Sequence, residues 1–352
     1  MALQAIPLAF LGLTLGLAIS FRVIKGLRRR IVQLGQYTLV EKLCEGPACT
    51  VFLARHALLR RPTAIKLFKG DQADTEALAR FEKEVQLTSE LTHPNTVQIY
   101  DYGRTPDGVF YYAMEYLPGI NLEQLVRLET TVPPARVVHI LRQVCASLAE
   151  AHGRGLIHRD IKPENIILCE RGGIPDFVKV FDFGLVQEAA RPDPAETSGQ
   201  GVFGSPGYIA PERLTTPERT DARADIYSLG AVAFFLLTGA IPFPGASNAE
   251  ICTKVVHDPP PRPSDHSPVP IPAALDELVF ACLAKNPEDR PGSAEEIATR
   301  LASMAFANEW TNAESRRWWQ ENLQQIRSIE SGGEPSAASW ARTLDIDWKR
   351  RQ

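Results

Sequence analysis

The chain opens on a mostly apolar run, in which residues 2–21 carry no charged side chain. Twenty such residues in a helix reach about 30 Å, the thickness of a bilayer's hydrocarbon core, so the run predicts one membrane-spanning helix. Beyond it the period of the pattern changes. Residues 37–68 alternate apolar and polar positions around turn residues and predict three antiparallel strands. Residues 73–91 have helical spacing, and 166–169 with 177–181 predict two short strands about a turn at 170–176, where Gly172-Gly173 supplies backbone freedom. Residues 221–238 predict a strongly apolar helix. Ser247 with Glu250 and Ser293 with Glu296 have the spacing of capping boxes and mark further helix starts. Thr311 with Glu314 repeats that spacing, and Trp319, Leu323, Ile326 and Ile329 recur at helical intervals, predicting one short amphipathic helix. The proline-rich stretch 259–272 reads as a connecting loop, and 331–339, rich in Gly, Ser and Ala, as a linker.

Composition adds location to this picture. The 352 residues carry 38 Lys and Arg against 42 Asp and Glu, a net charge of -4, which argues against a nucleic-acid partner because phosphate neutralisation needs a clustered basic face. Six scattered cysteines without a CxxC spacing read as reduced thiols. The charge is unevenly placed: Arg22, Lys25, Arg28, Arg29 and Arg30 follow the apolar run at once. Such a collar favours the cytoplasmic side, so the expected arrangement is a single-pass protein of the cell membrane, N-terminus outside and the bulk of the chain cytoplasmic. A cleavable signal peptide is the rival, since Ala18-Ile19-Ser20 has a small-x-small form, but a basic n-region is lacking. A buried core helix is a third reading. Gly12, Gly16 and Ser20 give the span one small face that would allow close approach of a second copy and a homodimer; small residues are also common in such spans.

The candidate chemistry lies between these ends. Thr63-Ala64-Ile65-Lys66 sets a lysine in an apolar strand, where its charge requires a carboxylate partner. The loop Ile157-His158-Arg159-Asp160-Ile161-Lys162-Pro163-Glu164-Asn165 concentrates an acid, a lysine and an amide, and Val180-Phe181-Asp182-Phe183-Gly184 follows. Gly204-Ser205-Pro206-Gly207-Tyr208 and Ala210-Pro211-Glu212 come next. In this order and spacing the strings resemble the eukaryotic-like protein kinase family, and particularly the membrane-anchored serine/threonine kinases of bacteria. The resemblance covers residues 37–306, leaving 1–21 as the anchor, 22–36 as a basic juxtamembrane linker and 307–352 as a tail holding all five tryptophans.

The resemblance implies an α+β, two-lobed protein kinase fold, with a small antiparallel β-sheet lobe carrying one helix and a large, mainly helical lobe. It implies ATP and Mg2+ as cofactors and Ser/Thr hydroxyls of proteins as acceptors. Lys66 would bind the α- and β-phosphates and pair with Glu84; Asp160 would accept the substrate's hydroxyl proton; Lys162 would steady the γ-phosphate; Asn165 and Asp182 would hold the metal. Gly46 belongs to the loop over the phosphates. Glu115-Tyr116-Leu117 would hold the adenine, with Met114 at the back wall and Val51, Ala64 and Ile167 sandwiching the base. Asp225 would bind backbone, Arg290 would pair with Glu212, and Arg159 would receive a phosphate placed on Thr197 or Ser198, unless those are plain loop hydroxyls.

The sequence departs from the family at Cys44-Glu45-Gly46-Pro47-Ala48-Cys49, where only one of three expected glycines remains. A catalytically silent membrane scaffold and an enzyme acting on a small molecule are therefore the alternatives to a protein kinase. Cys44 and Cys49 read either as a redox pair or as two inert thiols. Thr88, four residues after Glu84, replaces an apolar side chain. For the neutral, Trp-rich tail three roles stand open: packing against the large lobe, docking at the membrane interface and recruiting a partner.

Overall fold

Alternating burial along Tyr37–Glu45 and Cys49–His56 folds these segments as strands β2 and β3 of an antiparallel sheet. The computed structural model describes residues 33–46, 49–68, 85–105, 109–183 and 205–330. The sheet starts at β1, Gln33–Leu34, inside the stretch expected as linker, and continues through β4 (Pro62–Phe68), β5 (Ile99–Arg104) and β6 (Phe110–Glu115) in the order β1-β2-β3-β4-β6-β5. β4 is therefore central, with β3 and β6 on either side. Its register sets Lys66 opposite both Val51 and Tyr112, and Ala64 opposite Met114. Partners across an antiparallel ladder share a face. One face thus carries Val51, Ala64, Tyr112 and Met114 into a cluster with Ile167 and Phe181, while Ile65 and Ala113 join Leu34 and Tyr37 behind the sheet.

The expected helix over 73–91 is described only at 85–89, which are helical. Below the sheet, β7 (Gly119–Asn121), β8 (Ile166–Arg171) and β9 (Ile174–Val180) form a second, three-stranded sheet. The turn of β8 and β9 is shorter than the expected 170–176: Gly172 and Gly173, at φ +58° and +79°, close a two-residue hairpin that lets both strands extend toward each other.

The large lobe is built from helices α1 (Leu122–Glu129), α2 (Pro134–Gly153), α3 (Pro211–Thr215), α4 (Arg223–Thr238), α5 (Asn248–His257), α6 (Ala273–Cys282) and α7 (Ala294–Ala302). α4 is apolar on every side and buried along almost its whole length, as a helix at the centre of a domain must be. It ends at Gly239, φ +75°, where a side chain would meet the carbonyl of Thr130. The serines expected as caps do cap: Ser247 and Ser293 accept from the amides of Glu250 and Glu296.

The tail differs from the single amphipathic helix expected. Thr311 and Glu314 form a full capping box at the start of α8, Asn312–Glu321, but the chain turns at Asn322 and restarts as α9, Leu323–Glu330. The turn rotates the apolar face, so Trp318 and Ile326 are buried while Leu323, counted on that face by its spacing, is exposed. Both helices pack on the large lobe through its main core, α8 against β9 and α9 against β7. No helix among the described residues is long and apolar enough to cross a membrane, and the expected span at 2–21 lies outside them.

Candidate active site

The cleft between the two sheets collects most residues singled out by sequence. Its walls are Leu43, Cys44, Val51, Ala64, Met114, Leu117 and Ile167, with Lys66, Phe181 and Asp182 at one end, and its volume is about 940 Å³ with the open mouth included. The apolar walls are the sheet face described above together with β8. Charge is confined to the Lys66–Asp182 end, so an amphiphilic anion would enter with its apolar part toward Met114 and Leu117.

Lys66 Nζ lies 2.6 Å from Asp182 Oδ2, and Tyr112 Oη donates to Asp182 Oδ1 at 3.0 Å. Burial opposes the Lys66 charge, yet the adjacent Asp182 carboxylate outweighs it and holds the lysine's pKa above its usual value. Burial likewise opposes the Asp182 charge, and Lys66 with the Tyr112 hydroxyl more than compensates, keeping the carboxylate below its usual range. Both are therefore ionised. The carboxylate that a strand lysine demands is thus Asp182 here; Glu84, the expected partner, lies outside the described residues.

The loop at 158–165 gathers the second group. Asn165 Nδ2 donates to the Asp160 backbone carbonyl and to its Oδ2, both at 2.8 Å, and Lys162 Nζ lies 2.8 Å from the same Oδ2. Burial depresses Lys162 less than Asp160 and Glu164 raise it, so it stays protonated. Two residues of the site are strained: Arg159 in this loop and Asp182 after β9 have φ of +64° and +61°, a region non-glycine residues rarely adopt. Asp225, fully buried on α4, stabilises the first of these by accepting from the amides of His158 (2.7 Å) and Arg159 (2.8 Å) and from His152 Nε2 (2.8 Å). The Arg213 guanidinium donates to the Arg159 carbonyl. Arg290 grips Glu212 with two bonds of 2.7 Å, as the resemblance implied, and spends its remaining donors on the carbonyls of Ala284, Arg223 and Lys285.

Glu164 gives this loop a pH signature. Burial pushes its carboxyl up from 4.5 to about 7 against the pull of Lys162, and its Oε2 is buried without a hydrogen-bond partner among the described residues. An acid with a raised folded-state pKa favours the folded state below its unfolded pKa, and that contribution is lost as pH climbs from about 4.5 to about 7. Replacement by Gln mimics the protonated form. In urea titrations at pH 5 and pH 8, Glu164→Gln is expected to lose less stability between the two than the wild type; equal losses would contradict the assignment.

The Glu115 side chain does not face a ligand. It is held by Lys179 at 2.5 Å and by Arg171, so whatever Glu115 offers a base comes from its backbone. The glycine-poor hairpin is closed by the Gly46 amide donating to the Cys49 carbonyl, while Pro47 and Ala48 lie outside the described residues. Cys44 and Cys49 are not joined in a disulfide. Burial, with Cys49 nearby, pushes Cys44 up to about 12, which leaves almost no thiolate near neutrality and favours the inert reading. Thr88 is buried with its hydroxyl unpaired among the described residues. Thr197 and Ser198 lie outside them.

A divalent cation could find hard oxygen ligands here in the Asp182 carboxylate and the Asn165 amide. No group of three or more His, Cys, Asp or Glu placed to hold a metal occurs among the described residues. So sparse a donor set fits Mg2+, which keeps waters and draws further ligands from a polyphosphate.

Three features escaped sequence reading. Tyr112 reaches Asp182 because it stands two residues before Met114 on one strand face, a period-two signal that was available. Asp176 of β9 is buried under five donors from Arg136, Trp310, Ser315 and Trp319. Ile329 of α9 lines the cleft mouth. The last two depend on the tail's route across the lobe, which no local pattern encodes.

Residues 37–305 match the protein kinase domain. The chain is 37% identical over 273 residues to the serine/threonine-protein kinase pkn3 of Myxococcus xanthus, covering 76% of this chain and 50% of that protein. It is 34% identical over 296 residues to PrkC of Bacillus subtilis, covering 84% of this chain and 44% of that protein. The crystal structure of the Mycobacterium tuberculosis PknI kinase domain superposes with a TM-score of 0.60 at 29% identity, covering 78% of this chain and 97% of that one. The chain thus spans about half the length of the curated relatives it matches.

Proposed function

We propose, from the premise that this chain belongs to the protein kinase family, that it transfers the γ-phosphate of ATP to serine and threonine hydroxyls of proteins. The observation that carries this reading is the closeness of two polar sets, Lys66 with Asp182 and Asp160 with Lys162 and Asn165, which are linked by the electrostatic interaction of Lys162 with Asp182. Phosphoryl transfer needs positioning and charge neutralisation more than covalent chemistry. Lys66 orients the α- and β-phosphates. The Asp160 carboxylate takes the proton of the incoming hydroxyl as its oxygen attacks the γ-phosphorus, and the ADP oxygen leaves on the opposite side. Lys162, beside Asp160, offsets charge on the group in transit. Mg2+, held by Asp182 and Asn165, would neutralise the phosphates when bound. Serine/threonine selectivity rests on Lys162, two residues after Asp160, and on relatives that bear that name.

The test is transfer of labelled γ-phosphate from ATP and Mg2+ to the chain itself and to generic protein acceptors. Phosphoserine and phosphothreonine are expected after acid hydrolysis. A full absence of label would favour the scaffold reading, and label confined to small-molecule hydroxyls would favour the other alternative.

We also propose that residues 2–21 tether this activity to the cell membrane, with the Arg- and Lys-rich collar at 22–30 on the cytoplasmic face, and that the span's small face allows self-association. An N-terminal tag on intact cells is expected to be cut by added protease; a protected tag would reverse the topology.

A further inference from the structure

The described part of the tail, residues 307–330, packs on the large lobe and reaches the cleft. Asp176 ties down α8: its carboxylate accepts from Trp310 Nε1 at 2.8 Å, Ser315 Oγ at 3.1 Å and Trp319 Nε1 at 2.6 Å, while Arg316 donates to the Gly173 carbonyl at 3.2 Å. α9 continues from it, anchored by Ile326, which is 2% exposed within the main core. One helical turn later on the same side comes Ile329, and α9 lies along β7, the strand that follows Glu115-Tyr116-Leu117. Ile329 therefore lines the cleft beside Leu117, Gly119, Asn121 and Gln124. It lies 24 residues beyond the match to the protein kinase domain, which ends at 305.

We infer that Ile329 is a nucleotide-binding residue, and that α9 forms the outer wall of the site against the base and sugar. The polarity of the cleft orients the ligand. Lys66 and Asp182 mark its phosphate end, whereas Met114 and Leu117 supply apolar wall away from it, to which Ile329 adds beside the polar Asn121 and Gln124. An isoleucine there contributes by excluding water from an apolar face, which is independent of phosphate number. Reciprocity follows: a nucleotide that contacts α9 also stabilises α8 and α9 on the lobe.

The inference rests on the kinase reading, and the test separates the two. The full chain, purified in detergent, is titrated with adenosine, ADP and ATP by calorimetry. Wild-type binding of ATP with no binding to Lys66→Met supports the site itself; no nucleotide binding by the wild type sinks the kinase reading and this inference with it. Given wild-type binding, Ile329→Ala is expected to weaken all three ligands by a similar factor, about fivefold for the apolar area removed. Ile329→Met, which conserves volume, is expected to restore affinity to within about twofold. Thermal melting of the ligand-free variants shows that the fold is retained. Unchanged adenosine affinity in Ile329→Ala would overturn the inference, and so would tighter binding, which would make α9 an obstruction. A loss confined to ATP would also overturn it, because it would place the contact at the phosphates.

Discussion

Replacing Asp160 by Asn is expected to lower kcat for phosphotransfer by about two to four orders of magnitude while leaving ATP affinity nearly unchanged. The side chain keeps its size and an oxygen that can still accept from Asn165 Nδ2, now at 2.8 Å, so the loop has no steric reason to move. What disappears is the base. An amide cannot take the hydroxyl proton, and Lys162, 2.8 Å from the lost carboxylate oxygen, loses its charged partner there. Asp160 is not among the residues that line the cleft, so nucleotide binding is spared. Steady-state kinetics on a protein acceptor, with calorimetric titration of ATP, check both halves. Activity within tenfold of the wild type would mean that Asp160 is not the base.

The second large effect concerns the tail. Asp176 is fully buried and its two oxygens accept five bonds, including 2.9 Å bonds from Nε and Nη2 of Arg136, which is itself fully buried. The Arg136 guanidinium lies 3.9 Å from the Trp318 ring centroid and 4.8 Å from that of Trp310, so the pair stands inside an aromatic box. Burial alone would raise the Asp176 pKa, but Arg136 and the two indole donors outweigh it and hold the carboxylate below its usual range. Its contribution to stability is therefore complete above about pH 4 and is lost only as the solution is acidified through the lowered folded-state value. Asp176→Asn is the sharp test. The backbone sits at φ +50°, which Asn tolerates as well as Asp, so the change removes charge without adding strain. It leaves a buried guanidinium with Glu129 as its remaining carboxylate and turns one acceptor into a donor facing other donors. A loss of about 3–5 kcal/mol is expected from denaturant titration, with indole fluorescence shifting to the red as α8 loosens. A midpoint equal to the wild type's would show that the box holds without its charge.

The two effects show where local sequence suffices and where it does not. The loop 158–165 was legible because its chemistry is compressed into eight positions, and a turn that short leaves few ways to arrange an acid, a lysine and an amide. The caps at Ser247, Ser293 and Thr311 were legible for the same reason, since a cap acts across three residues. Glu115 shows the limit. Its position in the chain placed it at the base, but Lys179, 64 residues away, and Arg171 engage its carboxylate and leave only backbone for a ligand. Leu323 was assigned to an apolar face by an unbroken period of 3.6 that Asn322 interrupts.

The tail makes the same point on a larger scale. Its tryptophans were visible as a cluster in sequence, yet a neutral, aromatic segment serves equally well against a lobe, a membrane or a partner. For residues 307–330 the packing on the lobe was decided by Asp176, which meets Trp310 and Trp319 across 134 and 143 residues and appeared in sequence only as the end of a turn, while Trp340 and Trp348 lie outside the described residues. By itself the sequence determined the strands within 37–68 and 166–181, the caps and the order of motifs that identifies the fold, because each is written in neighbours a few residues apart. Only the tertiary structure decided which carboxylate Lys66 meets among the described residues, which tail face is buried and that Ile329 reaches the cleft. Those outcomes depend on burying charge and apolar surface between segments brought together only when the whole chain folds.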